Sequence, residues 1–188
     1  MKQKVLLITP PFTQLNTPYP ATAYLKGFLN TKNISAYQCD LGIEVILELF
    51  SSKELIKLFK TINNQQLELS NNSNRIINLQ EEYIKTIDPV ISFLQHNNPT
   101  LAHLICSDNY LPEASKFDQL SDLEWAFGTM GIQDKARHFA TLYLEDLSDL
   151  IKDTIDPHFG FSRYAERLAS SANSFDQIYD TLLKENSY

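Results

Sequence analysis

KVLLITPPFTQLNTPYPATAYLKGFLNTKNISAYQCDL, Lys4 to Leu41, decides the fold of this 188-residue chain. Val5 to Thr9 is a short run of β-branched and aliphatic residues with polar residues before it, the pattern of a buried strand. Pro10 and Pro11 end it, because proline cannot donate a ladder hydrogen bond. Pro20 stands where a helix begins, since its fixed φ suits the first turn. Tyr24, Leu25, Phe28 and Leu29 follow at helical spacing, and Asn30 to Asn33 break the pattern. Ile34 to Leu41 reads as a second strand. The segment therefore predicts one β-α-β unit, right-handed, with its two strands parallel.

After that unit the pattern turns helical. Ile43 to Phe50 is apolar nearly all round, as a buried helix would be. Ser51 and Glu54 are spaced as a capping box at the head of another helix. Asn63 to Asn74 is polar and reads as a loop. Arg75 to Gln95 predicts one long helix with Ile76, Tyr83, Ile87, Val90, Ile91 and Leu94 inward, kinked where the Pro89 ring meets the carbonyl of Lys85. Further helices are expected over Pro99–Cys106, Asp118–Phe127, Lys135–Lys152, Phe161–Ala172 and Phe175–Lys184. The last has Ser174 and Gln177 as a capping box and Phe175, Ile178, Tyr179 and Leu182 on one face. The fold class is α/β with excess helix: a partial Rossmann-like unit over residues 1–50, then a helical region over 51–188. A two-stranded parallel sheet needs neighbours and covered faces, so the open edge also predicts self-association.

Composition narrows the function classes. Hydrophobic residues make up 43% of the chain, enough for a core, and the net charge of −7 with a pI near 5.0 disfavours nucleic acid as a partner. The two cysteines, Cys39 and Cys106, lie far apart and read as small hydrophobes in a reduced, cytoplasmic protein. No apolar run has the length of a signal-peptide core or of a membrane span.

Little in the pattern is chemical. Neither of the glycine-rich phosphate loops occurs, nor a G-x-S-x-G elbow, nor C-x-x-C. His96, His103, His138 and His158 make no ligand pair, and Glu145 with Asp149 reads as a solvated acidic face. Trp125 and Phe127, near Gly128 and Gly131, read as core packing or as a flap. The one candidate site is the carboxyl end of the strands, where ligands bind in open α/β sheets. Thr9, Pro10 and Pro11 lie there beside Asp40. The competing reading is a rigid strand exit, with Asp40 capping the next helix.

Over about its first 45 residues the chain resembles the start of cobalamin-binding radical SAM proteins. The matching residues are Pro10, Pro11, Tyr19, Pro20, Tyr24, Leu25, Leu29, Asp40 and Leu41. The helical remainder resembles the long insertion that some of these proteins carry before the sheet resumes. The resemblance implies the N-terminal part of an Fe–S oxidoreductase or methyltransferase, with cobalamin, S-adenosylmethionine and a [4Fe–4S] cluster in the whole protein. The remainder of that parent chain would be its first partner. The chain departs from the family in lacking Cys-x-x-x-Cys-x-x-Cys, whose three thiolates hold such a cluster, and the Asp-x-His-x-x-Gly motif of base-off cobalamin binding. The expectation is therefore a cofactor-binding and substrate-access module that is not catalytic alone. A helical protein–protein interaction domain is the other reading.

Overall fold

The computed structural model describes residues 4–10, 20–65, 67–122, 131–157, 159–161 and 183. Strand β1 (Lys4–Thr9) pairs in parallel with β2 (Ser35–Asp40), Leu6 opposite Tyr37 and Thr9 opposite Asp40. Helix α1 (Ala21–Thr31) joins them, and the sheet of described residues has these two strands alone. The fold is mixed α/β, mostly helix, with the β1-α1-β2 unit at the N-terminal end.

Local chemistry accounts for the turns of this unit. β1 stops at Thr9 because Pro10 has no N–H to give. At the other end of α1, Asn33 adopts a left-handed φ of 56°. The Asn33 N–H then reaches the carbonyl of Asn30, and the Ile34 N–H that of Leu29. This pair of bonds closes the helix and turns the chain into β2. Asparagine supplies here the conformation usually given by glycine.

Strand alternation assigns the two faces of the sheet. Val5, Leu7, Thr9 and Ala36 on one face are half-buried or buried, whereas Leu6, Ile8 and Tyr37 on the other face are 59%, 48% and 53% exposed. α1 lies against both strands; its Ala21, Thr22, Lys26 and Leu29 are half-buried and none of its residues is fully buried. Of the residues that follow at helical spacing, Tyr24, Leu25 and Phe28 are exposed and Leu29 is half-buried.

Helix α2 (Leu41–Leu49) follows directly, capped by Asp40, whose Oδ1 accepts from the Ile43 N–H at 3.2 Å. Its sequence predicts a buried helix, yet Ile43 and Val45 are exposed and only Gly42 is buried. α2 packs on the helical core through Ile46 and Leu49, and among its residues Ile43 and Val45 are left exposed.

The helical body comprises α3 (Ser52–Asn63), α4 (Asn71–Asn78), α5 (Gln80–Leu94), α6 (Leu101–Ile105), a 3-10 helix (Ser115–Asp122) and α7 (Ile132–Thr154). Its core includes Phe50, Leu55, Phe59, Tyr83, Tyr143 and Leu147, each at most 1% exposed. Ser51 caps α3 by accepting from the Glu54 N–H, but the Glu54 carboxylate does not return to close the box. It pairs instead with Lys57 at 2.6 Å and Lys53 at 3.3 Å, and the Lys57 ammonium holds its pKa below the usual carboxylate value.

A second cap comes from across the body. The Asp88 carboxylate of α5 accepts from the Ser52 N–H at 2.8 Å and from the Ser52 hydroxyl at 2.6 Å. A carboxylate at a helix N-terminus offsets unpaired N–H donors and the positive end of the helix dipole. Asp88→Ala is expected to lower the unfolding free energy by about 1 kcal/mol. Urea titration checks this, and an unchanged midpoint would show the contact to be dispensable.

The helix predicted over Arg75–Gln95 divides. Leu79 leaves helical geometry (φ −100°, ψ 16°), so α4 ends at Asn78 and α5 begins at Gln80. α5 runs on through Pro89. Part of the loop predicted over Asn63–Asn74 is helical, since α4 starts at Asn71. The expected helix over Asp118–Phe127 is a 3-10 segment as far as Asp122. Trp125, Phe127, Gly128 and His158, and all but Phe161 and Leu183 of the two helices expected near the C-terminus, lie outside the described residues.

Candidate functional site

At the carboxyl end of the sheet the parallel register sets Thr9 beside Asp40. Thr9 is 2% exposed, Asp40 is half-buried, and Pro10 continues outward as an exposed rigid step. Pro11 lies outside the described residues. Three of the four residues singled out by sequence are thus neighbours. Their chemistry is modest. A buried hydroxyl is no nucleophile without a base beside it, and the Asp40 carboxylate is engaged as the cap of α2. Both competing readings of Asp40 are compatible with this geometry, for a cap can also form one wall of a site.

Cys39 lies on β2. Cys106 follows α6, its Sγ 3.7 Å from the Ile132 carbonyl, and burial pushes its thiol pKa up. The chain has no third cysteine. Among the described residues no group of three or more His, Cys, Asp or Glu side chains could hold a metal ion. His96 has a different role visible in the backbone. With φ 61°, its N–H bonds to Phe93 O and that of Asn97 to Ser92 O, so it turns the chain out of α5. With two cysteines the chain cannot itself supply the three thiolates of a [4Fe–4S] cluster.

The most perturbed carboxylate is one that sequence reasoning passed over. Asp146 of α7 is fully buried. Its Oδ1 accepts from the Lys116 N–H at 3.2 Å and the Asn72 amide at 3.4 Å, while Oδ2 is buried without a hydrogen-bond partner. Burial, more than the nearby charge of Asp149, pushes its pKa up to about 6. Around it lies a polar seam between α4, the start of the 3-10 helix and α7. Asn72 Oδ1 accepts from the Ser115 N–H, and Lys116 pairs with Asp149 at 2.9 Å. Asp153 accepts from the Ser73 hydroxyl at 2.6 Å and the Ser70 N–H at 3.1 Å, and those bonds hold its pKa low. The signal was present in the sequence: Asp146 shares the α7 stripe with Tyr143, Leu147 and Leu150. Glu145 and Asp149, one turn apart, drew attention instead. The seam pins three elements together and presents no nucleophile.

No family model, curated protein or solved structure matches the chain. The site is therefore read on its own geometry and on the N-terminal sequence pattern. Among the described residues no helix is long and apolar enough to cross a membrane.

Proposed function

We propose that this chain is the front of a cobalamin-binding radical SAM enzyme and serves there as part of the cofactor-binding and substrate-access module. The observation that carries the reading is the end of β1. A parallel strand stops at a buried threonine and an exposed proline, beside an aspartate at the end of its neighbour. Ligands of open α/β sheets lie at such ends. Prolines there make a stiff wall suited to a bulky planar ligand, where glycines would make an anion cradle. Cluster, S-adenosylmethionine and the reaction itself belong, on this reading, to residues beyond this chain.

The test has two parts. Sequencing the source locus past codon 188 is expected to find an open frame encoding Cys-x-x-x-Cys-x-x-Cys; a frame without it removes the enzyme reading. Titration of this chain alone with hydroxocobalamin is expected to give weak binding or none, because no lower ligand is supplied. A complex of micromolar or tighter affinity would overturn that expectation.

A helical interaction domain is the second reading, and one observation favours it. Eight of the thirteen large apolar residues exposed among the described residues lie before residue 46. Such a concentration marks a surface that something covers.

A further inference from the structure

We propose that one buried water molecule bridges the Tyr83 hydroxyl of α5 and Asp146 Oδ2 of α7, accepting from the phenol and donating to the carboxylate.

The starting point is a pair of buried polar atoms whose needs match. Tyr83 and Asp146 are both 0% exposed. Among the described residues, neither the Tyr83 hydroxyl nor Asp146 Oδ2 has a hydrogen-bond partner. One is a hydrogen donor and the other an acceptor. Buried polar groups are nearly always satisfied, by protein or by ordered water, because desolvation without replacement is costly. The donors that reach Asp146 serve its other oxygen: the Lys116 N–H and the Asn72 amide both bond to Oδ1. The Ala114 N–H adds a weaker pull on the carboxyl.

Packing brings the two groups to one part of the interface between α5 and α7. Tyr143 reaches across from α7, its hydroxyl donating to the Tyr83 carbonyl at 2.9 Å, and the two rings lie 4.9 Å apart. Asp146 stands one turn beyond Tyr143 on the same buried stripe. Burial pushes the Tyr83 pKa up and the charge of Asp146 adds to it, so the phenol and the carboxylate lie within electrostatic reach. Arg75 acts on the phenol in the opposite sense, but it is engaged with Asp118 at 3.0 Å. No direct bond joins Tyr83 to Asp146. Two groups that interact without bonding are suited to a single intervening water.

The chemistry favours water over a cation. A buried water needs roughly two to four polar partners, and a donor facing an acceptor supplies the first two. Among the described residues no group of three or more His, Cys, Asp or Glu side chains could hold a metal ion. The bridge would tie α5 into the polar seam of α4, the 3-10 helix and α7.

A high-resolution crystal structure of the full chain tests the proposal. One solvent peak is expected within about 3 Å of both the Tyr83 hydroxyl and Asp146 Oδ2. A direct bond between the two residues would overturn it. So would a protein group bonded to either atom in place of solvent, or two ordered side chains with nothing between them. Oxygen-17 magnetic relaxation dispersion gives a second readout in solution, because it counts waters that stay longer than the protein takes to tumble. Tyr83→Phe keeps the ring and removes only the hydroxyl, which makes no bond to a described residue. The variant is expected to hold one long-lived water fewer than the parent, and an equal count would also overturn the proposal.

Discussion

Asp146→Asn is expected to make the protein more stable at pH 7, by about 1–3 kcal/mol, and to leave it nearly unchanged at pH 4. The folded-state pKa of Asp146 is raised to about 6 from an ordinary 3.8, chiefly by burial. A carboxyl whose pKa is raised on folding contributes stability that is complete below its unfolded pKa and is lost as pH rises through the folded value. The window of loss is therefore from about pH 4 to pH 6, and its full depth is roughly 3 kcal/mol at 1.36 kcal/mol per unit. The neutral amide keeps the Oδ1 acceptor for the Lys116 N–H and the Asn72 amide and never ionises. Its new Nδ2 donor is buried, which offsets part of the gain. The charge of Asp146 also pushes up the pKa of the buried Tyr83 phenol, so the two groups share one electrostatic environment. Lys116 is a nearby cation, but its ion pair is with Asp149 and it reaches Asp146 only as a weaker, more distant charge. The readout is the difference in unfolding free energy between variant and parent by urea titration at several pH values. The Asp153 and Glu54 carboxylates, with lowered pKa values, slope the other way and cancel in that difference. A difference that stays flat from pH 4 to pH 7 would show that Asp146 is not the strained acid that its burial makes it.

The β-α-β unit was legible because its punctuation is covalent. Pro10 cannot donate to a ladder whatever surrounds it, and the fixed φ of Pro20 suits the first turn of a helix. The stripe of α5 was legible for the same local reason: Tyr83, Ile87 and Val90 repeat at helical spacing and are all 0% exposed. α4 was not, since its sequence is rich in asparagine and serine, which bond to the nearby backbone and favour turns. What holds its first turn is Asp153, which meets Ser70 and Ser73 from 83 and 80 residues away. No local window contains that contact. The burial expected of α2 failed for a related reason. Apolar spacing says that a surface is to be covered, but not by which element. At the candidate site, the sequence brought Thr9, Pro10 and Asp40 to one sheet end. It passed over Asp146, whose meaning depends on helical phase and on Lys116 and Asn72 from other elements.

Tyr143→Ala is expected to cost about 3–5 kcal/mol, and Tyr143→Phe only about 1 kcal/mol. Tyr143 is fully buried on α7, and its ring lies 4.9 Å from that of Tyr83 on α5. Truncation to alanine leaves a cavity between the two longest helices of the body and strips Tyr83 of its aromatic neighbour. The phenylalanine variant isolates the hydroxyl. That group donates to the Tyr83 carbonyl at 2.9 Å and lies 3.1 Å from Thr86 Oγ1, while the Thr86 hydroxyl donates to the Glu82 carbonyl at 2.7 Å. Three contacts share two hydroxyl hydrogens, so one contact is always incomplete. Removing the tyrosine oxygen leaves Thr86 bonded to Glu82, and the Tyr83 carbonyl keeps its place in the α5 ladder. No buried group is stranded, which is why the hydroxyl should matter less than the ring. Burial pushes the Tyr143 pKa far above its ordinary value, so neither variant should alter the pH dependence below pH 9. Thermal or urea unfolding of the two variants decides the matter. Equal losses would place the energy in the hydrogen bonds and contradict the packing account.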